Sequence, residues 1–274
     1  MIKRPSFDHP YISKELGKIS SHVSSPLQIF VIGGLALIEF GLKDATKDID
    51  VIVQSKSELD LLKKTLNHIG YHRPNEMEIT RPYKKMDISE MLENDDKFRW
   101  DIFYGKICGK LTFSAEMISR ARAYYEKNLL SVLLASKEDI FLFKGITERE
   151  ADLDDMRLLA ESTVDWQIIE KECHNQSNQS NTIWENALYE NLIDLREKHN
   201  IRSPIEKNLK KTVEEKLTED SIIKALETGK KTISSIAKSA DLPEYYIRIY
   251  VIKLEKKRKI IVDRSKRPFS ISLP

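Results

Sequence analysis

Two glycines and two aspartates, separated by thirteen residues, constrain the fold of this chain more than any other feature. The first half reads Val31-Ile32-Gly33-Gly34 and closes an apolar, β-rich run at 28–32, which predicts a buried strand ended by a turn. Glycine has no Cβ, so the pair lets the backbone turn tightly and approach a ligand closely. Residues 35–40 then read as a helix stopped at Gly41. The amides at the start of such a helix favour an anionic phosphate. The second half reads Thr46-Lys47-Asp48-Ile49-Asp50-Val51-Ile52-Val53. With a strand at 49–53, Asp48 and Asp50 share one face while Ile49 and Val51 point into the core. Neighbouring carboxylates repel unless a cation lies between them, and Mg²⁺ takes carboxylate oxygens together with substrate phosphates.

A third carboxylate completes a site for two Mg²⁺ ions, with Mn²⁺ as the alternative ion. Asp101, in Arg99-Trp100-Asp101-Ile102-Phe103, is the candidate. It stands near the start of a strand predicted at 99–107, which can lie beside the acidic strand. Its expected roles are to bridge metal and to activate an attacking hydroxyl, since in-line phosphoryl transfer needs mainly positioning and charge neutralisation. The plain alternative is a surface aspartate on an edge strand.

The rest of the chain frames this segment. Residues 9–24 and 56–69 carry apolar positions at helical spacing, and 71–79 and 129–135 read as strands. From Lys137 the pattern turns helical, through Ile140, Phe141 and Lys144, then Leu153, Met156 and Leu159, and on to residue 216. The polar run at 175–181 reads as a loop. Thr218 is a candidate cap for a helix that stops at Gly229; helices at 232–239 and 245–257 follow, then two short apolar strands flanking a basic turn. Three helices and a basic hairpin make a winged helix-turn-helix. The expected fold is α+β: a small mixed-sheet core at 1–136, a helical region at 137–216 packing on it, and a winged helix-turn-helix at 217–274.

The net charge of +2 hides an asymmetry, because residues 203–274 carry 17 Lys+Arg against 10 Asp+Glu while the remainder carries 28 against 33. A basic tail on an acidic body points to different partners for the two parts. Lys256, Lys257 and Arg258 at the end of the last helix, with Arg264, Lys266 and Arg267 on the hairpin, are candidate nucleic-acid phosphate contacts. A solvated helix end, or a protein-docking module, is the alternative. Cys108 and Cys173 show no metal or disulfide spacing, which suits a reduced compartment. The six histidines show no metal spacing. The N-terminal residues carry no apolar run, and no stretch approaches the roughly 20 apolar residues of a membrane helix. The expectation is a cytoplasmic protein with no signal peptide and no membrane partner.

The apolar strand, Gly33-Gly34, short helix and Asp48-Ile49-Asp50-Val51 together resemble the signature of the DNA polymerase β-like nucleotidyltransferase superfamily. Thr46, just before the pair, fits the same pattern. The later stretch from Glu138 to Lys144, followed by Arg149-Glu150-Ala151-Asp152-Leu153-Asp154-Asp155, resembles the stand-alone and toxin-type nucleotidyltransferases of prokaryotes. The likeness covers roughly residues 25–160. It implies a triphosphate cradled at Gly33 and Gly34, Thr46 in the nucleotide site, phosphate binding by Lys144, and support from Arg149 and Asp152. The bland reading of Lys144 is a snorkelling lysine on an apolar helix face. The implied reaction moves a nucleoside monophosphate from an NTP to a hydroxyl of RNA (tRNA among the candidates), protein or a small molecule. The alternatives are a winged-helix DNA-binding regulator with a nucleotide-sensing or idle first domain, and an antitoxin-like interaction protein that binds no nucleotide.

Overall fold

The computed structural model describes residues 4–75, 86–147, 149–180, 182–265 and 267–274. The chain divides into two compact units, Met1–Pro204 and Ile205–Pro274. It is mixed α+β, and among the described residues no helix is long and apolar enough to cross a membrane.

The first unit is built on a six-stranded mixed sheet of β1 (Leu27–Val31), β2 (Asp48–Val53), β3 (Glu90–Glu93), β4 (Arg99–Tyr104), β7 (Arg122–Lys127) and β8 (Leu130–Leu134). The order across the sheet is β3-β4-β2-β1-β8-β7. β2 runs parallel to β4 and antiparallel to β1, and β1 runs parallel to β8. Between β4 and β7 lie a small hairpin of β5 (Lys106–Ile107) and β6 (Leu111–Thr112) and the short helix α4 (Ala115–Arg120). The central strands are apolar because both faces are covered: Ile49, Val51, Ile52 and Val53 are fully buried. Helix α1 (His9–His22) packs on α3 (Lys56–His68), which contacts β1, β2 and β4. A reciprocal pair of bonds between Ser55 and Glu58 starts α3, satisfying amides that the helix itself cannot.

The helical region comprises α5 (Lys137–Lys144), α6 (Glu150–Glu161), α7 (Trp166–Gln179) and α8 (Trp184–His199); α6 and α7 pack on α5, and α8 packs on α6 and α7. The rings of Phe30 and Phe113 lie 5.0 Å apart, and those of Phe113 and Phe143 6.3 Å apart. Phe30 pairs with Ile52, which shares its face with Asp48 and Asp50. Helix α5 is therefore seated on the acidic side of the sheet.

Three expectations need correction. The strand expected at 71–79 is not formed over 71–75, where His72 makes a single antiparallel bridge to Glu93, and its remainder at 76–79 lies outside the described residues. The polar run at 175–181 is not a loop through Gln179, where α7 ends. Gln176 donates to the Thr112 carbonyl at 2.8 Å and accepts from its amide at 3.0 Å, and Ser177 donates to Glu185 at 2.6 Å. These partners let polar side chains sit inside the fold. Thr218 does not cap a helix. It lies within α9 (Glu206–Glu227), donating to the Glu214 carbonyl at 2.7 Å, because the Lys/Glu-rich stretch before it continues the helix.

The second unit consists of α9, α10 (Ile233–Ala240), α11 (Glu244–Lys256) and an antiparallel hairpin of β9 (Ile261–Asp263) and β10 (Ser270–Ser272). Ile222, Ile236, Ile247, Leu254 and Ile271 close its core. The Ile271 amide donates to the Lys231 carbonyl at 2.8 Å and ties the hairpin to the turn before α10.

Candidate active site

The pairing of β2 with β4 sets Asp48 beside Arg99 and Asp50 beside Asp101. Because side chains alternate along both strands, Asp48, Asp50 and Asp101 project from one face of two central strands. Asp101 is fully buried, and among the described residues neither of its carboxylate oxygens has a hydrogen-bond partner. Asp50 and Asp48 are half-buried. Asp48 Oδ2 accepts from Arg4 Nη1 at 3.2 Å, while Arg4 Nη2 donates to the Lys47 carbonyl at 2.7 Å.

This crowding changes the protonation of the cluster. Burial and then the Asp48 charge push the Asp50 carboxyl up to about 6, against the pull of Lys144 and Arg149. Burial, with Asp48 and Asp50 beside it, holds Asp101 well above the usual carboxylate range. A buried carboxyl without a partner is costly in its charged form, so the fold maintains a site that favours either a proton or a cation.

The two glycines have a geometric role here. A Cβ on Gly33 would lie 1.9 Å from Asp50 Oδ2 and 2.8 Å from Asp50 Cβ; one on Gly34 would lie 2.2 Å from Thr46 Oγ1. The space a side chain would need is thus filled by Asp50 and Thr46. Thr46 is buried and donates to the Asp48 carbonyl at 3.0 Å, which fixes the entry into β2. Helix α2 (Gly34–Glu39) follows directly.

A cationic wall faces Asp50. Lys144, the last residue of α5, donates to Asp152 Oδ1 at 2.7 Å and pairs with Asp155 Oδ2 at 3.2 Å. Arg149 grips Asp152 with Nε and Nη2, both at 2.9 Å, and Thr147 donates to the same carboxylate. Lys43 pairs with Asp155. Burial works against the charge on Lys144, but Asp152, Asp155 and Asp50 outweigh it and raise its pKa. Asp152 is itself buried, yet Lys144 and Arg149 hold its carboxyl below the usual range. Its oxygens are taken up by these donors, so it orients the cations. Asp50, Phe103, Phe143, Lys144 and Arg149 line a small cleft. Cys108 lines it too, with its thiol pushed up to about 11 by burial and by Asp50, and so stays protonated near neutrality.

The basic candidates of the second unit are less uniform. Lys256, Arg258 and Arg267 are exposed. Lys257 pairs with Glu219, and Arg264 makes two bonds to Glu255. Lys266 lies outside the described residues. Arg4, Phe103 and Thr147 were not singled out by sequence reasoning. The wall around Asp152 had a signal in the three-residue step from Arg149; Arg4 had none, since its contact spans 44 residues.

Asp48, Asp50 and Asp101 are three carboxylates on one face of the sheet, the donor type that a hard divalent cation takes. Among the described residues no group of three or more His, Cys, Asp or Glu side chains is placed so that it could hold a metal ion, Asp48, Asp50 and Asp101 included. No protein-family model matches the chain, and no curated protein matches it in sequence.

The raised Asp50 carboxyl has a consequence for stability. Between the unfolded value and about 6 the folded chain holds a proton that the unfolded chain releases. The contribution is fully present in acid and is lost as pH rises through that window. Asp50→Asn is therefore expected to stabilise the metal-free protein at pH 7.5 by about 1–3 kcal/mol, with no gain near pH 4. Urea midpoints in EDTA at the two pH values check this; a loss of stability at pH 7.5 would refute the assignment.

Proposed function

We propose that the chain is a metal-dependent nucleotidyltransferase of the polymerase β-like type, moving a nucleoside monophosphate from an NTP to a hydroxyl with release of pyrophosphate. The observation that carries this reading is the register of β2 against β4, which sets Asp50 beside a buried Asp101 with two unpartnered oxygens. A purely structural aspartate at that depth would be expected to accept hydrogen bonds.

Asp48, Asp50 and Asp101 are the residues that would hold Mg²⁺. Bound there, the ions supply charge neutralisation on the triphosphate and lower the pKa of the attacking hydroxyl. A carboxylate oxygen of Asp101 would take the proton of the acceptor hydroxyl as the hydroxyl oxygen forms its bond to the α-phosphorus. The bond from the α-phosphorus to the bridging oxygen breaks, and pyrophosphate leaves. The sub-cluster of Lys43, Lys144, Arg149, Asp152 and Asp155 carries one more positive than negative charge, which suits the β- and γ-phosphates at the cleft beside Asp50. Phe103 and Phe143 keep water from that wall.

The second unit is read as a winged helix that brings the acceptor. Its exposed Lys256, Arg258 and Arg267 would meet phosphates of RNA or DNA. The outer side of α11 presents Glu244 and Arg248 to solvent as well as Tyr245, Ile249 and Ile252.

Labelled NTPs offered with total RNA and with protein acceptors test the reading. Incorporation is expected with Mg²⁺ or Mn²⁺, none in EDTA, and none from Asp48→Ala or Asp50→Ala. Equal incorporation by the mutants would exclude the proposed chemistry.

A further inference from the structure

Residues 4–8 form a strap bridged to Thr46, two residues before the acidic strand begins. Phe7 and Thr46 exchange both backbone hydrogen bonds, at 2.7 and 2.9 Å. The Phe7 side chain is buried, with its ring 4.5 Å from Tyr11 and 4.9 Å from Phe98. Asp8 then caps α1 by accepting from the Tyr11 amide, so the strap is held on both sides of the bridge. Three residues before Phe7, Arg4 turns back onto Asp48 and the Lys47 carbonyl. Its side chain is only 20% exposed, which keeps its charge poorly screened by water. Asp101 also feels Arg4, which with Arg99 offsets part of the repulsion from Asp48 and Asp50.

The geometry points to Arg4 as a built-in counter-ion that competes with the divalent cation for Asp48. This inference rests on the metal reading above and concerns how the same site is loaded. A guanidinium on Asp48 Oδ2 and a metal ion on that oxygen both draw on the same lone pairs, and two cations that close repel. Metal binding at that oxygen is therefore opposed for as long as Arg4 holds it. The backbone bridge at Phe7 lies three residues away and need not break, so the change is confined to Arg4 and its immediate neighbours. Apparent metal affinity is then the intrinsic affinity reduced by the fraction of molecules in which Asp48 is released. Arg4, once displaced, stays tethered beside the site as a cation for incoming phosphate.

Calorimetric titration of Mn²⁺ into the full chain tests this without any catalytic readout. Arg4→Gln removes the charge from the strap and should tighten the apparent Kd by about tenfold, the factor expected when roughly nine molecules in ten hold the closed pair. Arg4→Lys keeps the charge but loses the second donor to the Lys47 carbonyl, and should fall between Arg4→Gln and the unsubstituted chain. Asp101→Asn is the blank and should lose most Mn²⁺ binding. Equal or weaker Mn²⁺ binding by Arg4→Gln, with binding still lost in Asp101→Asn, overturns the competition and leaves the metal site standing. Should the unsubstituted chain and Asp101→Asn titrate alike, the metal reading fails and the competition fails with it.

Discussion

Asp101→Asn is expected to lower nucleotidyl transfer by about 10³-fold, the scale of losing a positioned base, while leaving the metal-free protein at least as stable. The two halves of this prediction come from one observation. Asp101 is fully buried and its oxygens accept no hydrogen bond among the described residues, so asparagine removes no described contact that holds the fold. It removes instead a carboxyl whose ionisation is opposed by burial and by Asp48 and Asp50. Charge released from such a place stabilises the chain, in the direction already argued for Asp50. Single-turnover transfer from a labelled NTP, set against urea midpoints in EDTA, measures both halves. Activity within tenfold of the unsubstituted chain would deny Asp101 its role. Lost activity with a parallel loss of stability would make it a structural residue.

The acidic pair on β2 was legible because strand alternation is local: Asp48 and Asp50 must share a face whatever the rest of the chain does. The strands at β1, β2, β4 and β8 were legible for the same reason, being apolar runs that need covering on both sides. The edge strands were not. β3 reads Glu-Met-Leu-Glu and β7 reads Arg-Ala-Tyr-Tyr-Glu-Lys, with charged ends that blunt an edge and erase the apolar signal. Register was also hidden, since only the fold decides that Asp101 meets Asp50. The least legible element was Arg4. A basic residue near a chain start is ordinary by composition, and its closeness to Asp48 depends on the bridge from Phe7 to Thr46.

The helical region shows why neighbouring charges can be misread one at a time. Lys144 taken alone is either a snorkelling lysine or a phosphate ligand. In the fold it is bound by two carboxylates, and the nearby Arg149 and Lys43 share those same partners. What faces the cleft is a small lattice with a net positive charge, held rigid by Asp152. A lattice of this kind can present charge to a phosphate without paying the ordering entropy of free lysines.

Gly33→Ala is expected to reduce transfer by at least about 10²-fold and to weaken Mn²⁺ binding, with the far-ultraviolet circular dichroism unchanged. The φ of Gly33 is −133°, outside the left-handed region, so the argument rests on contact. The added methyl carbon would meet Asp50 Oδ2 at 1.9 Å, Cγ at 2.7 Å and Cβ at 2.8 Å. Rotating the carboxylate away relieves the first two clashes but not the third, because Cβ is fixed by β2. That strand is held on both sides, by β1 and by β4, and the Ile32 amide donates to the Asp50 carbonyl at 3.0 Å. The turn and the strand must therefore separate at the point where the site is built. Forcing a methyl into such packing costs about 1–3 kcal/mol, which the sheet can absorb without unfolding. An ångström-scale displacement of Asp50 is what the chemistry cannot absorb. Full activity in Gly33→Ala would mean that Asp50 has room to move and that its position against Gly33 carries no function.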